Sequence, residues 1–558
     1  MFKITSISDS KMRRLALGYV LFVFVFEIYV VNVNYSNYFV YLLDSETLFF
    51  SVIACVCILI SYYLIYRLTL FVLSASWVYK ILYLIVFAIS LLVEYGYQKA
   101  LGRFTDQIDI ETAFTATPEQ QITSVLMYLN FAAIIPCVIL LILFIIFRAE
   151  RQRGLKDGVI AVASIVLSFV IFPFIVDQKF PTFATNAFIR TSTDFLITGP
   201  IGNNLRVSDL SGSSTQRRHV KPPILPENYH PSNNIIVVVD ESVMGDHLSL
   251  NGYARQTTPI LDKLASQNIL HNWGIAAAAS TGSRFTYSSL IAGLTPDDFP
   301  DKSGVKVLTF PTVFQYAKAM NYKTYFFDGQ MNAYWGSVDD DKNYIDSWQG
   351  VRDISGINLV ETWEVDGIIA KKVKDIIYSS TGNFVFIFKH GSHIPYQSNF
   401  PPDERVWEPS YETANKFDIP SADQLPAVVN AYDNSIRYNV NTFFRNLIDD
   451  YSKIPNNSVI IYTGDHGQTL FVNGRASHGG NTKQEATVPL FIIGNINHPI
   501  DTSYKASHDN IFPTILDLFG YPDELRDAKS APSLLRARSS DSRPRYFNPD
   551  LGTKVPFD

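Results

Sequence analysis

Apolar residues crowd the first third of the chain and then thin out. Five runs, at about 15–33, 47–66, 78–97, 123–147 and 156–176, each approach the roughly 20 apolar residues that a helix needs to cross a hydrocarbon core. Lys11, Arg13 and Arg14 precede the first run, Arg67 and Lys80 flank the connection between the second and third, and Arg148, Arg151, Arg153 and Lys156 separate the fourth from the fifth. Cationic loops favour the cytoplasmic side. The spacing therefore predicts an N-in, five-helix transmembrane bundle over 1–177, with the remainder outside the cytoplasm. The first run has no small-residue cleavage site and reads as an uncleaved helix. Glu27 lies inside it near the outer boundary, where solvation is the expectation. The polar loop 99–121 reads as a connector on the outer side.

Residues 178–230 form a second connector, with mixed polarity and a Pro222-Pro223 pair. Beyond it the pattern becomes short β-branched and aromatic runs separated by amphipathic stretches. NNIIVVVDES (233–242), YKTYFFD (322–328), NFVFIFKHG (383–391), SVIIYTGDHG (458–467) and VPLFIIG (488–494) read as buried strands. PTVFQYAKAM (311–320) and AYDNSIRYNVNTFFRNLIDDY (431–451) read as helices. Strands alternating with helices predict an α/β domain over 231–525 with a mostly parallel central sheet. Ligands bind off the carboxyl ends of such strands. Glu241, His390, Asp465 and His466 all follow strand runs directly, so this topology can bring them together. Residues 526–558 are rich in Ser, Arg and Pro and read as a basic, loosely ordered tail.

Composition narrows the chemistry. A net charge of −6 argues against a general nucleic-acid binder. All three cysteines (Cys55, Cys57 and Cys137) fall in the hydrophobic segments, which leaves the polar domain without a disulfide framework or a cysteine-based metal site. Its metal chemistry must use oxygen and nitrogen. Glu241, Thr281, Asp465 and His466 can close a four-coordinate zinc site with the hydroxyl as one ligand. Coordination would also activate a threonine that is a poor nucleophile at neutral pH. His390, His393 and His478 form a second tier able to hold phosphate oxygens, take a second metal or protonate a departing alkoxide.

Several motifs then carry a resemblance. ESVMGDHLSLNGYARQTTP (241–259), STGSRF (280–285), KHGSHIPY (389–396), NAYDNSIRYN (430–439), YTGDHG (462–467), ASHGG (476–480) and SHDNIFPTILDLFGY (507–521) follow one another in the order seen in the phosphoethanolamine transferases. That family is a membrane branch of the alkaline phosphatase/sulfatase superfamily, and the five-helix anchor also resembles it. The resemblance implies an alkaline phosphatase/sulfatase-like fold, Glu241, Thr281, Asp465 and His466 as zinc ligands, and Thr281 as nucleophile. His393 would protonate the leaving group, while His390 and His478 would bind the substrate. A second zinc near His393 and His478 is the further option.

The implied reaction moves phosphoethanolamine from phosphatidylethanolamine to lipid A, the lipopolysaccharide core or another periplasmic glycan. It proceeds through a covalent threonine intermediate, in a monomer in the inner membrane whose catalytic domain faces the periplasm. Added ethanolamine amines would reduce surface negative charge and weaken cationic peptides such as polymyxin. The chain also departs from the family. Asp240 replaces a common glycine, Ala279-Ser280 replaces Cys-Gly, and FDGQMNAYWGSVDD (327–340) lacks the lysine and paired asparagines that commonly touch the donor. Trp335 is similar to the lipoteichoic acid synthases, so phosphoglycerol transfer from phosphatidylglycerol is one alternative. A catalytically inactive sulfatase-fold protein that binds lipid is the other. Sulfatase activity is excluded, because Thr281-Gly282-Ser283-Arg284 lacks the Cys or Ser with x-Pro-x-Arg that formylglycine formation needs.

Overall fold

The structure is a computed structural model that describes residues 5–31, 48–101, 130–149, 187–188, 191, 217–298, 309–330, 339–355, 361–412, 420–450, 457–472, 478–496, 499–526, 531–549 and 554–558. The chain divides into two compact units, Met1–Ser213 and Ser214–Asp558.

In the first unit, helices α1 (Asp9–Tyr29), α2 (Leu48–Ser74), α3 (Trp77–Leu101) and α4 (Ile134–Ile146) occupy the first four apolar runs. The expected fifth, 156–176, lies outside the described residues, as does most of loop 99–121. Among the described residues one span, Trp77–Tyr97, is long and apolar enough to cross a membrane, while Ile58–Ser74 and Phe131–Ile146 are shorter apolar helices. Ile81, Ile85 and Ile89 of α3 are each at least half exposed. At four-residue spacing they form one apolar stripe, costly in water and neutral against lipid chains. Two short strands, β1 (Thr5–Ile7) and β2 (Phe147–Ala149), pair in parallel. Glu27 corrects its expectation. It is fully buried rather than solvated and accepts hydrogen bonds from the Tyr62 and Tyr95 hydroxyls, which arrive from α2 and α3.

The second unit is built on a seven-stranded sheet. Its strands are β3 (Asn234–Asp240), β4 (Leu270–Ala277), β5 (Lys323–Asp328), β6 (Ser347–Gln349), β7 (Asn383–Phe388), β8 (Ser458–Gly464) and β9 (Thr487–Ile493), in the order β4-β9-β8-β3-β7-β5-β6. Only β9 runs against the others, pairing antiparallel with both β8 and β4. The sheet is thus mostly parallel, with β3 at its centre in register with β7 and β8. Every residue of β3 is buried, as expected for a strand covered on both faces.

Odd positions of β3 (Ile235, Val237, Val239) share a core with α5 (Ser283–Ala292), α6 (Val313–Ala319) and α9 (Ile511–Phe519). On the other face Phe444 of α8 (Leu425–Leu447) meets the rings of Tyr462 and Phe491. Helix α7 (Thr362–Ser379) packs beside α8. Strand β4 escapes the hydrophobic pattern because it is an edge strand with irregular burial and a register shift between Asn272 and Ile275.

The expected loose tail is also corrected where it is described. Leu534, Leu535 and Ala537 join the main core, and Phe547 and Phe557 bury against Ala277 and Ala486. Strands β10 (Tyr546–Phe547) and β11 (Val555–Pro556) form a small ribbon beside them.

Candidate metal centre

Strand β3 ends at Asp240, so Glu241 emerges from the middle of the sheet. Strand β8 ends at Gly464, and Asp465 and His466 emerge beside it, the Asp465 N–H donating to the Asp240 carbonyl (3.0 Å). Glu241, Asp465 and His466 offer ligand atoms within 4.8 Å of one another. His466 Nε2 lies 3.4 Å from Glu241 Oε1 and 3.3 Å from Asp465 Oδ2. A tetrahedral zinc with ligands at about 2.0–2.1 Å spaces them about 3.3 Å apart, so these separations fit that ion. The His466 tautomer fits as well. Its Nδ1 lies 2.9 Å from the Gly467 carbonyl, which can only accept, so Nδ1 carries the proton and Nε2 keeps its lone pair. Asp465 Oδ1 accepts from the Ser242 and His466 N–H groups at 2.8 Å, whereas its buried Oδ2 has no hydrogen-bond partner.

The electrostatics match a site shaped for a cation. Burial raises the Asp465 carboxyl well above its ordinary range, and the Glu241 charge adds to this. Burial works the same way on Glu241, but positive charge on the facing His466, His393 and His478, wherever they are protonated, outweighs it and holds that carboxyl low. Burial pushes His466 down, and His478 further, which favours the neutral imidazoles that metals bind.

A second group joins Glu241 to His393 and His478. The His478 ring stacks on His466 with centroids 3.9 Å apart and meets His393 edge-on at 5.7 Å. His478 Nδ1 is buried without a partner. The Nδ1–H of His393 donates to the Ile394 carbonyl at 2.6 Å, leaving Nε2 free for a proton or cation. His390 is in neither group. Its backbone N–H is held by Asp366 of α7 at 2.7 Å.

Thr281 lies fully buried in the turn before α5. Its hydroxyl donates to the Gly480 carbonyl (2.7 Å), its carbonyl accepts from Gly479 N–H (3.0 Å), and its N–H donates to the Asn548 carbonyl (3.2 Å). In this loop the hydroxyl that touches ligand atoms is that of Ser283 rather than Thr281, at 3.2 Å from Glu241 Oε2 and 3.0 Å from His466 Nε2. His508 pins the loop from below, accepting from Ala279 N–H at 3.1 Å and donating to the Gly464 carbonyl at 3.0 Å. Burial pushes its pKa down to about 3, as a neutral structural imidazole requires. Glu485 orders the opposite wall by accepting from Gly480 N–H (2.8 Å) and Thr482 N–H (3.0 Å).

Sequence reasoning passed over Ser283, Tyr287 and Gln330. Glu241 Oε2 accepts from the Tyr287 hydroxyl at 3.1 Å and from Gln330 Nε2 at 3.0 Å. Gln330 follows β5, so the rule that ligands gather at strand ends could have found it. Neutral side chains inside a helix, such as Tyr287, give no comparable signal.

Asp240, a departure from the resembled family, proves to be one end of a buried ion pair with Lys389. The Tyr462 hydroxyl donates to it at 2.5 Å. Its Oδ1 also leaves no room opposite. A Cβ on Gly391, where φ is +64°, would sit 2.7 Å from that oxygen and 2.5 Å from the Glu241 carbonyl. Lys389→Met would strand this carboxylate in the core, and removing one partner of such a pair costs about 3–5 kcal/mol. Denaturant unfolding of the variant should show that loss, and an unchanged midpoint would contradict it.

With this geometry in hand, the profile of the family described as Sulfatase matches residues 233–521. The chain is 23% identical over 278 residues to the phosphoethanolamine transferase EptC of Escherichia coli O18:K1:H7 (strain RS218 / NMEC), covering 48% of this chain and 45% of that protein. It is 22% identical over 321 residues to the phosphoethanolamine transferase EptA of Escherichia coli O157:H7, covering 53% and 55%. The chain spans about half the length of the curated relatives it matches. Among solved structures, the integral membrane protein lipooligosaccharide phosphoethanolamine transferase A (EptA) from Neisseria meningitidis is similar with a TM-score of 0.59 and 17% identity, over 94% of this chain and 98% of that one. A likeness at this identity establishes the fold.

Proposed function

The chain belongs to the sulfatase family, and on that premise we propose that it transfers phosphoethanolamine from phosphatidylethanolamine to lipid A, a core sugar or another periplasmic acceptor. The observation that carries the proposal is the convergence of Glu241, Asp465 and His466 at tetrahedral spacing beside a loop that offers a threonine hydroxyl. The named relatives, phosphoethanolamine transferases, supply the group that is moved.

Glu241, Asp465 and His466 would hold a zinc ion, with Thr281 Oγ1 as the fourth ligand and His393 and His478 available to a second ion. When bound, zinc supplies Lewis acidity and favours the alkoxide form of a hydroxyl. The Thr281 hydroxyl leaves its hydrogen bond to Gly480, passes its proton to His393 Nε2 and attacks phosphorus. A Thr281 Oγ1–P bond forms as the P–O bond to diacylglycerol breaks, and His393 hands that proton to the departing oxygen. The acceptor hydroxyl then attacks the same phosphorus, and its proton passes through His393 to Thr281 Oγ1 as the Oγ1–P bond breaks. The N-terminus of α5 lies just beyond Thr281, and the positive end of its dipole favours an anionic phosphoryl group there. Two transfers at one nucleophile give ping-pong kinetics. His390 and His478 would bind phosphoryl oxygens.

The apolar helices of the first unit support a place in the inner membrane, with the catalytic unit on the periplasmic side. The protein is incubated with phosphatidylethanolamine and, separately, phosphatidylglycerol, and its peptides are then examined by mass spectrometry. A phosphoethanolamine adduct on Thr281 is expected. A phosphoglycerol adduct would reassign the donor, and a zinc-loaded protein with no adduct from either lipid would count against the covalent route.

A further inference from the structure

Ser242 stands between the two candidate metal carboxylates and bonds to both. Its N–H donates to Asp465 Oδ1 at 2.8 Å, and its hydroxyl donates to Glu241 Oε1 at 2.6 Å. The first bond, with that from His466 N–H, occupies Asp465 Oδ1 and turns the unpartnered Oδ2 toward His466. The second fixes the carboxylate plane of Glu241. Two like charges this close repel each other in a dry interior, so holding them apart in readiness for a cation takes fixed donors.

An outer layer holds Ser242 in turn. Gln468 Nε2 donates to its hydroxyl at 2.5 Å, and the Tyr396 hydroxyl donates to Gln468 Oε1 at 3.2 Å. The Tyr432 hydroxyl donates to the Ser242 carbonyl (2.7 Å) and accepts from Met244 N–H (2.9 Å), closing the turn after β3. All four of Ser242, Gln468, Tyr396 and Tyr432 are buried.

The backbone adds an independent observation. Ser242 has φ +62°, in the left-handed region where glycine fits without cost. A serine there forgoes stability that glycine would recover, and the hydroxyl is what glycine lacks.

We propose that Ser242 is a positioning residue of the metal centre, setting the orientation and separation of Glu241 and Asp465 before the cation binds. The proposal rests on the zinc reading of this site. It predicts that two variants share one loss and differ in another property. Ser242→Gly and Ser242→Ala both strip Gln468 Nε2 of its acceptor, but only glycine relieves the backbone, so metal-free Ser242→Gly should melt above Ser242→Ala while its zinc affinity falls. Loss of such an outer-layer partner typically costs 10–100-fold in metal affinity, and Ser242→Ala should show the same affinity loss without the backbone relief.

The test is zinc affinity by chelator competition on the full chain in detergent, with the thermal midpoint of the metal-free form read in parallel. Gln468→Leu, which leaves the turn's backbone untouched, covers the case in which the Ser242 variants fail to fold, and it should also weaken zinc binding. Wild-type affinity in folded Ser242→Gly, or in Gln468→Leu if Ser242→Gly does not fold, would overturn the role of Ser242 alone. A wild-type protein that binds no zinc would overturn the metal reading and this proposal together.

Discussion

Thr281→Ala should lower phosphoethanolamine transfer by about 10⁴-fold or more, the scale on which removing a covalent nucleophile acts. The fold should survive, because the change deletes one methyl group and one hydroxyl, whose hydrogen bond goes to the Gly480 carbonyl. A bond of that kind contributes about 1 kcal/mol. The backbone bonds that fasten this loop, Thr281 N–H to Asn548 and Gly479 N–H to Thr281, are independent of the side chain. Steady-state transfer and adduct mass spectrometry on the same preparation are therefore the informative pair. Wild-type turnover in the variant would remove Thr281 from the mechanism. An adduct found on Ser283 instead would identify the hydroxyl that already lies beside Glu241 and His466 as the nucleophile.

Glu241→Gln should empty the metal centre. Glu241 is the one residue common to both clusters of ligand atoms. Its replacement removes an anion from each while keeping nearly the same volume for Ser283, Tyr287 and Gln330 to pack against. Zinc measured on the purified protein should fall to background, with activity lost in parallel by at least about 10³-fold, as for other groups that stabilise transition-state charge. The glutamine is preferable to alanine, which would leave several buried donors without an acceptor and confuse metal loss with unfolding. Retention of stoichiometric zinc in Glu241→Gln would exclude Glu241 as a principal ligand.

Much of this site was legible because β3 and β8 are continuous β-branched runs that end in acidic residues or histidine. Such runs announce both a buried strand and the end at which ligands gather. The direction of β9 was not legible, since VPLFIIG reads the same whether it runs with or against its neighbours. Nor was the burial of Glu27, because its tyrosine partners come from other helices and only the packing brings them together. The expected tail failed for a related reason. Its Ser, Arg and Pro content dominates the composition, while a few apolar residues, Leu534, Leu535, Phe547 and Phe557, decide where it goes. Ser242 and Gln468 are neutral polar residues with no signature of their own, and only the hydrogen-bond geometry gives them a part.

Asn548 joins the catalytic loop along its edge. Its N–H donates to the Ala279 carbonyl and its carbonyl accepts from Thr281 N–H. Every strand of the central sheet is translated before this residue is. A nascent chain could therefore complete the sheet and gather its carboxylates while the threonine loop still lacked this clasp. Closure of the threonine loop would then lag behind assembly of the sheet and arrive only when the segment around Asn548 docks. If the proposed lipid donor is right, the chain would thereby spare the bilayer until its own folding is complete.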